Sequence, residues 1–335
     1  MRLYRLPEPG SIDNLRLEEA ADPKPGPFEV LVRVRATSLN YRDLSIARGA
    51  YGRGGHRPNL VPLSDGAGEV AVVGAGVTRV KPGDRVAGIF MQRWIAGEIT
   101  PAAAASALGG AIDGMLAELV VLHEDGLVHL PEPLSFEEGA TLPCAAVTAW
   151  HALVDVGRTK PAEDVLVLGT GGVSIFALQF AGMHGARVVA TSSSDGKLER
   201  LRGMGAGATI NYRSTPEWQD AVTAATGGRG VDLTVEVGGA GTLPRSIAAT
   251  RMGGTIGLIG VLTGGEINPT MIMRKTIALQ GIYVGSRAMF EAMNRAITVH
   301  RLQPVIDKVF PFEDAKGAYR YLESGAHFGK VVIRV

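Results

Sequence analysis

The sequence predicts an α/β protein of two domains, one a doubly wound parallel sheet and the other an antiparallel, barrel-like unit. Val165 to Leu168 is an apolar run too short for a helix and suited to a strand buried on both faces; it leads into a turn crowded by Gly169, Gly171 and Gly172. Beyond that turn, strands alternate with helical stretches, the pattern of a parallel sheet with helices on its faces. The first 130 or so residues instead hold short valine-rich strands separated by turns such as Lys81-Pro82-Gly83-Asp84.

In order, Glu29 to Ala36 alternates Val30, Val32, Val34 and Ala36 with Arg33 and Arg35, the period of a half-buried strand. Gly66 to Val73, Arg85 to Ile89 and Leu116 to Leu122 follow as strands. Met91 to Gly114 is alanine-rich with Pro101 and little strand pattern, and reads as a surface lobe from which Trp94 reaches a neighbouring cleft. Ser135 with Glu138 forms a capping box that opens a helical region. Next come Val165 to Leu168, a helix with Ile175, Leu178, Gln179 and Gly182 at helical spacing, and a strand from Arg187 to Thr191. Thr209 to Tyr212, Val231 to Val237, Thr255 to Val261 and Thr276 to Val284 complete six strands. Helices are expected from Pro216, with Thr215 as N-cap, and from Leu243. Arg287 to His300 is a helix with Phe290, Met293 and Ile297 on one face, Glu313 to Glu323 another closed by Gly325, and Lys330 to Val335 a strand. These add no further β-α unit, so the C-terminus is expected to return to the first domain. The expected domains are 1–130 with 286–335, and 131–285.

The totals restrict the functions. The net charge is +1 with no basic cluster or acidic tail, so neither nucleic acid nor a membrane surface is favoured as a partner. A single cysteine, Cys144, excludes an internal disulfide. MRLYRLPEPG lacks the apolar core of a signal peptide, and no apolar stretch reaches the roughly 18 residues of a membrane helix. A cytoplasmic location is expected. The histidines at 56, 123, 129, 151, 184, 300 and 327 form no pair at metal or triad spacing, and no G-x-S-x-G, H-E-x-x-H or P-loop occurs.

The glycine turn carries the chemistry. Its first glycine permits a tight turn and its second lets backbone approach a pyrophosphate seated on the N–H groups of the new helix. Ser174 replaces the third glycine. About 20 residues on, where an NAD site places an acid, stands Thr191. Ser192, Ser193, Ser194 and Lys197 follow and suit a 2'-phosphate. Asp195 is the discordant charge, read as the N-cap of the next helix in preference to a ribose contact.

GTGGVS, ATSSSDGKLERLRGMGA, KPGDRV, the NYRD at Asn40 and TLPCAAVTAW at Thr141 together resemble the medium-chain dehydrogenase/reductase superfamily, and in it the zinc-independent quinone oxidoreductases and alcohol dehydrogenase-like proteins. The resemblance spans essentially the whole chain. It implies a Rossmann domain, a GroES-like domain, NADP(H) as cofactor, a homodimer paired through the edge strand Thr276 to Val284, and a small carbonyl or quinone substrate. Gly169, Gly171, Gly172 and Val173 would meet the pyrophosphate, Ser192, Ser193, Lys197 and Tyr212 the adenosine phosphate, and Thr148 the nicotinamide. The backbone of Ile259, Val261 and Val284 would hold the carboxamide, with Lys330 near the cofactor. Asn40 and Tyr41 would face the substrate as hydrogen-bond donors. Where zinc-dependent members carry metal ligands, this chain has Asn40, Ser64, Asp65 and Cys144, of which Asp65 and Cys144 supply two ligands at most, and no catalytic metal is expected even with His56 recruited. The four-cysteine zinc lobe is replaced by Met91 to Gly114. The expected function is zinc-independent hydride transfer from NADPH to a quinone or α,β-unsaturated carbonyl. The alternatives are an NADP-dependent alcohol dehydrogenase or aldehyde reductase, and an NADPH-binding structural or sensing protein.

Overall fold

The computed structural model describes residues 1–51, 57–260 and 262–335. They form two compact units, Met1–Val147 with Gly285–Val335, and Thr148–Val284. The first boundary therefore lies at 147/148 rather than 130/131. The reason is that residues 131–147 are bonded to the first unit: the buried Ser38 hydroxyl donates to the Ala140 carbonyl (2.9 Å), and the Arg85 guanidinium donates to the Leu134 carbonyl. The capping box at Ser135 is present, but its helix is only Phe136–Gly139, followed by the wide helical turn Leu142–Ala146.

In the first unit, β1 (Arg2–Arg5) and β2 (Arg16–Glu19) make an antiparallel ribbon. β3 (Glu29–Leu39), β4 (Asp65–Val73), β5 (Arg85–Gly88), β6 (Leu119–His123) and β7 (Leu127–His129) pair antiparallel. β3 alternates as expected and then continues to Leu39, because Thr37, Ser38 and Leu39 are buried on both faces, where alternation carries no signal. The segment from Met91 to Gly114 is not a surface lobe. Met91, Trp94 and Leu108 are buried, and a Cβ on Gly109 or Gly114 would lie 2.5 or 2.0 Å from the Leu63 backbone. Only 96–102 is exposed throughout, and the Trp94 indole donates to the Gly97 carbonyl (2.9 Å) from a buried position.

The second unit is one parallel sheet of β8 (Asp164–Leu168), β9 (Arg187–Ser192), β10 (Ala208–Asn211), β11 (Val231–Glu236), β12 (Thr250–Leu258) and β13 (Ala278–Gly281). Its order is β10-β9-β8-β11-β12-β13, so the direction of winding reverses between β8 and β11. Ligands of such sheets bind at the carboxyl ends of the strands flanking that reversal. The edge strand β13 is four residues long, not the nine of Thr276 to Val284, since Thr276 (φ +50°) and Val284 (φ +58°) leave the extended region at either end. β12 begins at Thr250, five residues earlier than expected. The helix expected from Pro216 starts at Trp218 with Glu217 as N-cap; the Thr215 N–H instead closes a turn onto the Asn211 carbonyl (2.9 Å). Leu243–Ala249 is helical as read.

At the amino ends of the strands an ion-pair lattice crosses the sheet. Asp232 accepts both Arg229 Nη atoms (2.7 and 2.6 Å), Arg251 Nε (2.6 Å) and the Asp164 N–H (2.8 Å). Asp164 in turn accepts Arg187 Nε (2.6 Å) and Arg229 (3.1 Å).

The C-terminal segment returns to the first unit. Arg287–His300 is a helix with Phe290, Met293 and Ile297 buried. β14 (Ile306–Pro311) and β15 (Lys330–Arg334) join the first sheet, β15 antiparallel to β3 and β14 parallel to β15. The last helix is Ala315–Glu323, later than read because Phe312–Asp314 is a tight 3-10 turn. No helix among the described residues is long and apolar enough to cross a membrane.

Candidate active site

In the second unit β8 ends at Leu168 and Gly169 turns the chain with φ +72°, a conformation glycine adopts without strain. Gly171 is the N-cap of the helix Gly172–Met183. A Cβ added at Gly169 or Gly171 meets nothing within 4 Å, so the turn is open on the side where the first N–H groups of a twelve-residue helix lack intrahelical partners. An anionic pyrophosphate fits such a cradle by both space and charge. Gly172 and Val173, in the first turn, are half-buried. Ser174 fills the third glycine's role differently: its buried hydroxyl donates to the Leu168 carbonyl (2.6 Å) and ties helix to strand.

At the end of β9, Thr191 and Ser192 are buried while Ser193 and Lys197 are half-buried. The Tyr212 N–H donates to the Ser192 carbonyl (3.1 Å), which brings the exposed Tyr212 beside these residues. The helix Asp195–Gly203 is capped by Ser194, whose hydroxyl accepts the Lys197 N–H (3.4 Å), and not by Asp195. Asp195 is the first helical residue, its carboxylate taken up by Asn211 Nδ2 (2.7 Å).

Other expected contacts fall less simply. Thr148 is buried in Val147–Trp150. Ile259 follows β12 and donates its N–H to the Glu236 carbonyl (2.8 Å). Val261 lies outside the described residues. Val284 is left-handed, and its carbonyl is engaged by His151 Nδ1 (2.7 Å), which must carry the proton because a carbonyl only accepts.

In the first unit a buried charged cluster gathers around the end of β3. Asn40 precedes the helix Tyr41–Ala47, and its N–H donates to Asp43 Oδ2 (2.7 Å). Arg42 is buried with its guanidinium 4.5 Å from the Phe90 ring centre and Nη1 on the Leu108 carbonyl (2.9 Å). Lys330, 2% exposed, is no surface residue: its ammonium donates to the Leu39 carbonyl and to Asn40 Oδ1, each at 2.7 Å, and stands 3.6 Å from Asp65 Oδ2. Asp65 is fully buried and accepts the Ser64 hydroxyl (2.8 Å); the Ser38 hydroxyl, 3.3 Å from Oδ2, gives its one proton to the closer Ala140 carbonyl. Asn40 Nδ2 is buried without a hydrogen-bond partner. Tyr41, 49% exposed, stands outside the cluster.

This arrangement is poorly suited to a metal ion. The cluster already pairs two cations, Arg42 and Lys330, with two carboxylates, Asp43 and Asp65; Asp65 Oδ1 holds the Ser64 hydroxyl and Oδ2 faces the Lys330 ammonium. Desolvation, with Asp65 beside it, pushes the half-buried Cys144 thiol up. Among the described residues no three His, Cys, Asp or Glu side chains are grouped to hold a metal. His56 lies outside the described residues.

The sequence reading missed Arg42 and Asp43, although both sit in the NYRD motif. The available signal was an adjacent charge pair wedged between an apolar strand and Leu44 and Ile46.

Burial, reinforced by Asp65, pushes the Asp43 carboxyl up to about 6, against the opposing pull of Arg42, the Asn40 N–H and Lys330. Its native value thus exceeds the unfolded value near 3.9. The native state binds the extra proton, so the stability this group supplies is present at low pH and lost as pH rises through about 6. Asp43→Asn removes that titration. Denaturant melts from about pH 4 to about pH 7 should therefore show the variant gaining on the parent by about 1–3 kcal/mol; a gain of opposite sign contradicts the assignment.

Comparison with known proteins agrees with both units. Residues 26–132 match the family described as "Alcohol dehydrogenase GroES-like domain" and residues 172–298 that described as "Zinc-binding dehydrogenase". A zinc-type alcohol dehydrogenase-like protein of Schizosaccharomyces pombe is 46% identical over 98% of this chain and 97% of its own length. A quinone oxidoreductase of Rattus norvegicus is 29% identical over 99% and 97%. A solved structure titled as an NAD-dependent alcohol dehydrogenase superposes with a TM-score of 0.91 at 35% identity, covering 100% of both chains. With a Rossmann-like parallel sheet, a GroES-like unit and this likeness over its full length, the chain belongs to the medium-chain dehydrogenase/reductase superfamily and is an oxidoreductase of its alcohol dehydrogenase-like and quinone oxidoreductase kind.

Proposed function

We propose that the protein transfers hydride from NADPH to a quinone or an α,β-unsaturated carbonyl without a catalytic metal. The observation that carries this reading is the composition of the first unit's cluster: a buried ammonium and an unpartnered amide donor where a metal would need free anionic ligands. Oxidising a simple alcohol near neutrality passes through alkoxide-like charge, which a metal stabilises as a Lewis acid by several kcal/mol. An enone or quinone on reduction spreads its charge by conjugation, and ordinary hydrogen-bond donors suffice for it. Asn40 Nδ2 is the donor of this kind, with Tyr41 as an accessible second. NADPH, when bound, supplies the hydride. The glycine turn holds its pyrophosphate, and Ser192, Ser193 and Lys197 bond its 2'-phosphate with no acid in place of Thr191 to repel it.

The test is a spectrophotometric assay of NADPH and NADH oxidation with 1,4-benzoquinone and cyclohex-2-enone, alongside elemental analysis for zinc. NADPH should be preferred. Lys197→Ala should weaken it by roughly 1.5–3 kcal/mol and leave NADH nearly unchanged. Efficient oxidation of simple alcohols, with one zinc per chain and both carbonyl acceptors untouched, would overturn the reading. It would favour the second one, an alcohol dehydrogenase, which is supported by the similarity to a structure of that name.

A further inference from the structure

Lys330 has three N–H donors and no acceptor, and it is buried. Two donors are spent at 2.7 Å on the Leu39 carbonyl and on Asn40 Oδ1, and Asp65 lies 3.6 Å away as the balancing charge. That geometry fixes the orientation of the Asn40 amide. Turning the amide over would set its NH2 group against an ammonium, two donors face to face. The amide oxygen must therefore meet Lys330, which leaves Nδ2 buried and without a partner. Arg42 Nε and Asp43 Oδ1 of the same cluster are likewise unmet, so the cluster has polar capacity that a ligand or a water can complete, and Nδ2 is its neutral donor.

We propose that Lys330 is a positioning residue that locks the Asn40 amide with its NH2 group toward a ligand oxygen. The ammonium on Oδ1 also polarises the amide and strengthens Nδ2–H as a donor, since hydrogen bonds in a chain reinforce one another. The site then selects ligands that present an acceptor oxygen, such as a carbonyl or quinone, over ligands that present only N–H donors. This inference rests on the substrate class proposed above.

Two variants test it. Lys330→Met combined with Asp65→Asn removes the ammonium without leaving a buried carboxylate unpaired. Asn40→Asp keeps the contact with Lys330 but exchanges the donor for an acceptor. With NADPH saturating, both should lower kcat for cyclohex-2-enone by about tenfold or more, the loss of one good hydrogen bond, in protein that a cooperative thermal melt shows to be folded. In protein labelled with 15N-asparagine, the Asn40 side-chain NH2 signals should be sharp and shifted by added cyclohex-2-enone in the parent, and should broaden or split in the Lys330 variant as the amide becomes free to turn. Parental kcat in the Lys330 variant, or unchanged Asn40 amide signals, would overturn the proposal. If the parent reduces no enone or quinone, the substrate reading falls, and the amide signals still decide whether Lys330 sets the orientation of Asn40.

Discussion

Gly171→Val should reduce affinity for the nicotinamide dinucleotide at least about a hundredfold, roughly 3 kcal/mol, and leave the fold intact. Gly171 has φ −76° and ψ 177°, a backbone conformation open to any residue. A Cβ there meets nothing of the protein within 4 Å. The glycine is therefore not required by its neighbours in the chain. What the branched side chain would meet is the pyrophosphate, since it would stand over the free N–H groups of the helix Gly172–Met183. Gly260 is the contrast: its Cβ would lie 1.6 Å from the Val237 carbonyl, so substitution there must displace backbone. Thermal melts with fluorescence titration separate the two effects. Parental affinity in a folded Gly171→Val protein would mean that the dinucleotide does not bind at this turn.

Asp232→Ala should cost about 2–4 kcal/mol of stability at neutral pH. Asp232 is 8% exposed, and its loss would leave Arg229 and Arg251 without their shared carboxylate and the Asp164 N–H without its acceptor. The two arginines are partly exposed and can rehydrate, which keeps the estimate below that for a wholly buried pair. Burial alone would raise the Asp232 carboxyl. The bonds from Arg229, the Asp164 N–H and Arg251 overcome this and hold it well below the ordinary carboxylate range. With a depressed native value, its stabilisation is present above the unfolded value near 3.9 and is lost as pH falls toward the native one. The gap between parent and variant in denaturant melts should thus narrow in acid. A gap that persists undiminished below about pH 2 would rule out the ion pairs as its source.

The parallel sheet was legible because buried parallel strands are short apolar runs and the turn after β8 spends three glycines on one corner. β1 and β2 were not. RLYR and RLEE carry almost no apolar pattern, and their pairing is a tertiary fact. β14 hid for a similar reason, since its partner β15 lies beyond an intervening helix. At the site, the motif drew attention to Asn40, but nothing local told that a lysine 290 residues later would take its oxygen. Lys330 in FGKVV looks like an exposed strand residue until β15 is seen beside β3. The segment from Met91 to Gly114 misled because its alanines and glycines suggest a loose excursion, whereas they permit backbone to pack against Leu63.

In the sheet of the second unit, the arginine–aspartate lattice lies at the amino rim and the glycine turn at the carboxyl rim. β8 has five residues, a span of roughly 17 Å, beyond the 7–10 Å or so within which substitutions usually interact. Selection can therefore act on the two rims separately. A descendant chain is free to exchange residues at the carboxyl rim, such as Thr191, Ser193 or Lys197, with no compensating change in the residues that keep the strands together. The strands themselves insulate heritable novelty at one end from the loss of stability that most novelty brings.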